Sequence, residues 1–179
     1  RGQATVRGVL HNWSWVLLGN LLGSLFVGLL LAVALTEGFL QPSGALGNRL
    51  IAVAQSKTHV YAHAGTRGWL TAFTKGLLCN WMVAMGSVLG YSSRSTAGKI
   101  AAIWLPITTF FALALEHSVV NLFVIPSAMM LGADITFREW LWWNQLPVTL
   151  GNILGGALFT GLLLHLIHPR EEGATAVHP

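Results

Sequence analysis

The chain has 179 residues, of which 54% are hydrophobic and only 9% are charged, and its mean hydropathy is +0.62. Soluble domains carry about 25% charged residues, so this composition excludes an ordinary water-soluble domain. The net charge of +4 comes from basic residues that lie mostly between long apolar blocks. That placement is typical of loops and membrane-proximal anchors in a multi-pass protein of a cell (inner) membrane, and no nucleic-acid partner is expected.

The first apolar block predicts a span at residues 13–36, long enough for a hydrocarbon core of about 30 Å. Trp13 and Trp15 at its start fit the membrane interface, where tryptophan is enriched. Residues 37–68 mix polar and apolar types and predict an extramembrane connection, with at most a short interfacial helix around residues 50–54.

A second span is predicted at residues 69–91. It contains Cys79, the one cysteine of the chain, which excludes a disulfide framework and a cysteine-based metal site. No cofactor or metal is expected from the sequence.

The third apolar block is too long for one straight span, and Glu116, His117 and Ser118 interrupt it. Irregular backbone at membrane depth is tolerated where it lines a cavity. We therefore predict two half-helices, at residues 100–115 and 117–131, with a break near Leu113 to His117.

A tryptophan-rich loop at residues 140–143 is predicted to precede the last span, at residues 146–167. Residues 169–179 are polar and predict a disordered tail. The domain prediction is accordingly one transmembrane domain, residues 1–168, followed by this tail.

A short internal repeat links the first and last spans: residues 18–23 read LGNLLG and residues 150–155 read LGNILG. One interpretation is a pair of small-residue packing faces. The other is a duplicated three-span unit whose second copy is inverted, as in many transporters. Under the second interpretation two spans are missing before Arg1, which predicts an N-terminal truncation.

His117 is the central candidate for function, because an ionisable residue inside an apolar block is costly and by default functional. The alternative is a packed histidine bonded to a neighbouring helix. Glu116 could face a pore, but its charge would repel an anion. Pairing with backbone donors at the break or with another subunit is therefore the structural alternative.

The amide side chains leave similar alternatives open. Asn121 follows His117 by one helical turn, on the same face. Asn80 lies in the middle of the second span and either bonds across helices or faces His117. Asn20 and Asn152 lie in glycine-containing repeats, which favours a structural role.

Phe110 and Phe111 precede the break, where an aromatic ring could narrow a pore or simply pack. Four basic or imidazole side chains of the predicted connection form either a positive funnel or an ordinary solvated loop. They are Lys57, His59, His63 and Arg67.

Three segments together resemble the formate/nitrite transporter family. They are Cys79-Asn80-Trp81 in one span, Glu116-His117-Ser118-Val119-Val120-Asn121 at the break, and Leu146-Pro147-Val148-Thr149-Leu150-Gly151-Asn152 opening the last span. The resemblance covers residues 13–167. It implies an all-α, aquaporin-like bundle with an inverted three-helix repeat, assembled as a homopentamer in which each protomer carries its own pore for small anions such as formate or nitrite.

The resemblance also implies a substrate pathway. His117 corresponds to the central pore histidine, Asn80 and Asn121 to its polar companions, Phe110 and Val83 to a hydrophobic constriction. Glu116 corresponds to the acidic neighbour of the histidine.

Two departures from the family stand out. The first span of the family and its broken second span are absent, so about four spans remain. The vestibule lysine of the family falls near Ala64 here, and Lys57 or His63 are the candidates to replace it.

A bare carboxylate is costly in a dry constriction, whereas the neutral acid is not. We therefore expect the anion to pass His117 as the neutral acid or together with a proton. A nitrite or hydrosulfide channel is the alternative within the family. A membrane enzyme that uses Cys79, His117 and Glu116 is less favoured, because the chain has one cysteine, no second carboxylate partner and no pair of histidines at metal-ligand spacing. An aquaporin-type water pore is disfavoured too, since the chain has no Asn-Pro-Ala box.

Overall fold

The computed structural model describes residues 5–167, and these residues form helices and no strand. The predicted all-α class is therefore confirmed for this part of the chain, and the predicted tail at residues 169–179 lies outside it. The helices are α1 (Val6–Leu35), α2 (Gly44–Ala64), α3 (Thr66–Ser92), α4 (Thr96–Ala112), α5 (Ser118–Met130) and α6 (Phe137–Ile167).

Three of these helices, α1, α3 and α6, are long and apolar enough to cross a membrane. The shorter apolar helices α4 and α5 have 17 and 13 residues. At a rise of 1.5 Å per residue they measure about 25 Å and about 20 Å, so neither alone matches a hydrocarbon core of about 30 Å. The predicted bundle with one span broken into two half-helices is confirmed, and the break occupies residues 113–117.

The prediction for residues 37–68 is wrong in its main part. Instead of a connection with at most a short helix, α2 runs for 21 residues and packs against α3, α5 and α6. Its buried residues, Gly47, Ala54, Thr58 and Tyr61, recur at helical spacing. That pattern was hard to recognise because polar and charged residues alternate with the buried positions, and Lys57 lies on the same face, one turn from Tyr61.

The predicted loop at residues 140–143 is also wrong, whereas the bounds of the last span stay a prediction. A capping box at Thr136 and Glu139 begins α6 at Phe137, so the tryptophan-rich segment is helical rather than a loop. Two π-helical segments, Trp140–Gln145 and Ala157–Leu162, interrupt the α-helical geometry. Such wide turns are frequent at functional sites.

The most extensive helix packing among the described residues joins α3 to α6, and glycines permit it. A Cβ atom added at Gly76 would come within 2.7 Å of the carbonyl oxygen of Val148, and one at Gly151 would overlap the carbonyl oxygen of Phe73. The two backbones are therefore in direct contact. This contact sets α6 against the helix break that lies beside it.

Candidate functional site

The break between α4 and α5 is held in an unusual backbone conformation. Ala114 has a φ of 48°, in the left-handed region that non-glycine residues rarely adopt. The amide of Leu115 donates to the carbonyl of Phe110, and the chain then extends through His117 at φ −113° and ψ 120°. Such strain persists only where surrounding contacts determine the backbone.

His117 serves as the N-cap of α5. Its Nδ1 atom accepts a hydrogen bond of 3.4 Å from the backbone amide of Val120, and its ring stacks on Phe110 with 5.8 Å between centroids. Because Nδ1 is an acceptor, the neutral ring carries its proton on Nε2. The half-buried imidazole thus offers one N–H donor beside an aromatic wall.

Glu116 is 2% exposed and lies at the centre of a polar cluster. Its Oε2 atom accepts from Lys57 Nζ at 2.8 Å, from Asn121 Nδ2 at 2.7 Å and from Asn144 Nδ2 at 3.3 Å. Its Oε1 atom accepts from the hydroxyl of Tyr61 at 2.7 Å. We call these five residues the Glu116 cluster.

The Glu116 cluster corrects one of the two pairings considered from the sequence. Among the described residues, the donors to the carboxylate are side chains rather than backbone amides at the break, and pairing with another subunit stays a prediction. The ammonium of Lys57 balances the charge in an ion pair whose side chains are 18% and 3% exposed. The carboxylate therefore repels an approaching anion far less than an unpaired one would.

Asn152 secures the break from α6. Its Oδ1 atom accepts from the backbone amide of Ser118 at 2.9 Å. Its Nδ2 atom donates to the carbonyl of Glu116 at 3.0 Å and to that of Gly76 at 2.9 Å. One buried amide thereby joins the residues on both sides of His117 to α3.

Asn80 on α3 also bonds to α6: its Nδ2 atom donates to the backbone carbonyl of Asn152 at 2.6 Å. Of the two alternatives left open by the sequence, the structure shows the bond across helices. Asn121 is fully buried in the Glu116 cluster, and its Oδ1 atom has no hydrogen-bond partner among the described residues.

The other predicted pathway residues are more scattered. Phe110 is 3% exposed against His117, and Val83 lies half-buried on α3 one turn beyond Asn80. Lys57 and His63, the two residues predicted for a vestibule, have different surroundings. Lys57 forms an ion pair with Glu116, whereas His63 is exposed in the last turn of α2. Their roles along a pathway stay predictions.

Sequence reasoning missed Tyr61 and Asn144 as parts of the site. Tyr61 was hidden in a segment interpreted as a connection. Asn144 lay next to tryptophans that indicated an interface, and it points inward from the first π-helical segment of α6. Their signal was weak, because a polar residue beside an apolar block has no partner visible in the sequence.

The fold and the break define an integral membrane protein of helical class, with a half-buried histidine between two short apolar half-helices. The family model described as "Formate/nitrite transporter" matches residues 1–166. The chain therefore belongs to the formate/nitrite transporter family.

Curated relatives and solved structures agree. A probable formate transporter of Methanothermobacter thermautotrophicus is 37% identical over 94% of this chain and 63% of the relative. The formate channel FocA of Escherichia coli (strain K12) is 30% identical over 96% of the chain and 63% of the relative. The chain thus spans less than two thirds of their length.

Among solved structures, a pentameric formate channel with formate bound matches with a TM-score of 0.76 and 32% identity. The match covers 93% of this chain and 69% of the formate channel's chain. A channel described as an FNT family ion channel matches with a TM-score of 0.79 and 30% identity, over 94% and 63% of the two chains.

Proposed function

We propose that this protein carries small monovalent anions across the membrane, formate foremost, as a homopentamer in which each protomer has its own pathway past His117. The observation that carries the proposal is the imidazole fixed at the break, with an N–H donor on Nε2 and with the only nearby carboxylate of the described residues already paired to Lys57. The names of the relatives support formate as the substrate and the pentamer as the assembly.

The apolar wall decides the form in which the substrate passes. Phe110 stacks on His117, and a carboxylate ion between such surfaces loses hydration that they cannot replace. Neutral formic acid avoids that loss. Formate therefore takes up one proton on the entry side and releases it on the exit side, and its chemical bonds are otherwise unchanged.

The cap bond of His117 indicates where that proton comes from. A neutral ring that gave up its Nε2 proton would become an imidazolate, and a ring protonated on Nδ1 would lose the bond from Val120. We therefore propose that the proton comes from water, while the Nε2–H group donates a hydrogen bond to the passing acid. Asn80, Asn121 and Val83 complete the proposed pathway, and Lys57, His63 and Glu116 set the charge around it.

The test replaces His117 by phenylalanine in the full pentameric protein, reconstituted in liposomes. We expect formate uptake to fall at least about tenfold, as usual when one hydrogen-bond donor is removed from a transfer site. His165→Phe, at an exposed position near the end of α6, is the matched control. Uptake of His117→Phe protein at the wild-type rate and with the wild-type pH dependence would overturn the proposal.

The same geometry accepts any small anion that forms a neutral acid, so nitrite or hydrosulfide is the second candidate. Parallel uptake of formate and nitrite by the wild-type protein at one pH distinguishes them. Conversion of formate to another compound by the liposomes would contradict transport without chemical change.

A further inference from the structure

The two oxygen atoms of the Glu116 carboxylate are held very unequally. Among the described residues, Oε2 receives three donors, whereas Oε1 receives only the hydroxyl of Tyr61, at 2.7 Å. Loss of one donor at Oε2 leaves two others. Loss of the Tyr61 hydroxyl leaves a buried carboxylate oxygen with no donor among the described residues, which costs the desolvation of that oxygen.

Tyr61 is itself held in place. Its ring is 5% exposed and belongs to a buried cluster with Ala72 and Val148. The ammonium of Lys75 lies 5.9 Å from the ring centroid, within the range of a cation–π interaction. Contacts from α3 and α6 therefore fix the direction of the Tyr61 hydroxyl, which allows this hydroxyl to orient the carboxylate of Glu116.

Glu116 directly precedes the functional histidine. The amides of Leu113, Ala114 and Leu115 still bond to backbone carbonyls of α4, but Glu116 itself lies outside any helix, where side-chain contacts hold the chain. Asn152 holds the backbone of Glu116, and the Glu116 cluster holds its side chain. A carboxylate without its donor on Oε1 would shift toward the three donors on Oε2, relax the peptide that carries His117 and weaken the cap bond at Val120.

We propose that Tyr61 is a positioning residue of the transport site, whose hydroxyl holds the second oxygen of Glu116 and thereby fixes the orientation of the His117 imidazole. This inference rests on the proposed function, because the role matters only if His117 faces the substrate. Tyr61 does not touch the substrate; it acts through Glu116.

The test is Tyr61→Phe, which removes the hydroxyl and keeps the ring. Tyr91→Phe is a matched control, because Tyr91 is 90% exposed and is the only other tyrosine in the sequence. We expect the maximal formate flux per assembled pentamer to fall about tenfold in Tyr61→Phe, with less than about twofold change in the half-saturating concentration. Unchanged flux per pentamer would overturn the proposal, even if less pentamer assembled.

A double-mutant cycle with Glu116→Gln sharpens the result. If Tyr61 acts through the carboxylate, Tyr61→Phe should have little further effect once that carboxylate is replaced. Equal fold-losses in both backgrounds would overturn the proposal. Should Glu116→Gln protein fail to assemble, the comparison of Tyr61→Phe with Tyr91→Phe remains decisive.

Amide hydrogen exchange separates this proposal from the transport function itself. Exchange at Val120, measured in the solubilised pentamer, should accelerate in Tyr61→Phe and stay unchanged in Tyr91→Phe. If the wild-type protein takes up no formate, the proposed function fails while the exchange still tests the link from Tyr61 to the break. Unchanged exchange at Val120 would refute that link.

Discussion

The two copies of the internal repeat have nearly the same sequence and opposite surroundings. In the copy on α6, a Cβ atom added at Gly155 would overlap the carbonyl oxygen of Leu77 on α3. In the copy on α1, a Cβ atom at Gly19 or Gly23 would meet no atom of residues 5–167 within 4 Å, apart from its own helix turn and chain neighbours. The same small residues thus serve as a helix contact in one place and as an open face in the other.

The asparagines differ in the same way. Asn152 makes hydrogen bonds to three backbone groups on α3, the break and α5. Asn20 donates to the carbonyl of Val16 in its own helix and lines a groove of about 410 Å³ beside Val119 and Val120. A repeat therefore predicts equivalent positions along two helices, whereas the elements packed on each copy decide what the residues do.

The largest effect is expected at Gly155, where the repeat copy on α6 contacts the backbone of α3. Gly155→Leu should prevent correct assembly, because backbone atoms of Leu77 cannot move aside as a flexible side chain can. The cost should exceed the roughly 1–3 kcal/mol of ordinary overpacking. Gly23→Leu, at the equivalent position on α1, should leave the thermal midpoint of this chain in detergent nearly unchanged. Equal losses in both variants would break the comparison.

The second-largest effect concerns the ion pair between Lys57 and Glu116, which lies beside the repeat copy on α6. Lys57→Met leaves the carboxylate of Glu116 buried without its cation, which typically costs about 3–5 kcal/mol. Chemical denaturation of the purified protein measures the loss, with Lys99→Met at an exposed position as the control. Adding Glu116→Gln to Lys57→Met should restore part of the stability. A stable Lys57→Met protein would show that the pair is dispensable.

The smallest of the three effects compares the two asparagines. Asn152→Ala removes the hydrogen bonds to the amide of Ser118 and to the carbonyls of Glu116 and Gly76, so we expect a loss of about 2–3 kcal/mol. Asn20→Ala removes one bond within a helix and should cost less than about 0.5 kcal/mol. Denaturation midpoints of both variants check this difference. Similar values would mean that Asn152 is not a special support of the break.

Much of the fold could be predicted because bilayer spans are local patterns. Apolar runs located α1 and α3, and Glu116-His117-Ser118 inside an apolar block located the break. The prediction failed for α2, where interspersed polar and charged residues masked a buried stripe that includes Tyr61. It failed again for the loop predicted at residues 140–143, where tryptophans typical of an interface lie in a π-helical turn.

The residues of the site likewise divide into those that the sequence could identify and those that it could not. His117 and Glu116 could be singled out because ionisable residues inside an apolar run can be recognised from the sequence alone. The partners of Glu116 could not: Lys57 and Asn144 lie 59 and 28 residues away along the chain. Nothing in a single sequence relates such positions without the packing that brings them together.

By itself, the sequence determined that the protein is helical, enters a membrane and carries a histidine at a break between two apolar half-helices. These properties follow from local hydrophobicity and from the cost of irregular backbone in lipid. Only the tertiary structure decided that Glu116 is neutralised by Lys57, that Tyr61 holds its second oxygen, and that one of the two nearly identical repeat copies packs against α3. Those outcomes depend on which helices approach one another, because a buried charge takes its partners from whatever packing places within hydrogen-bond distance.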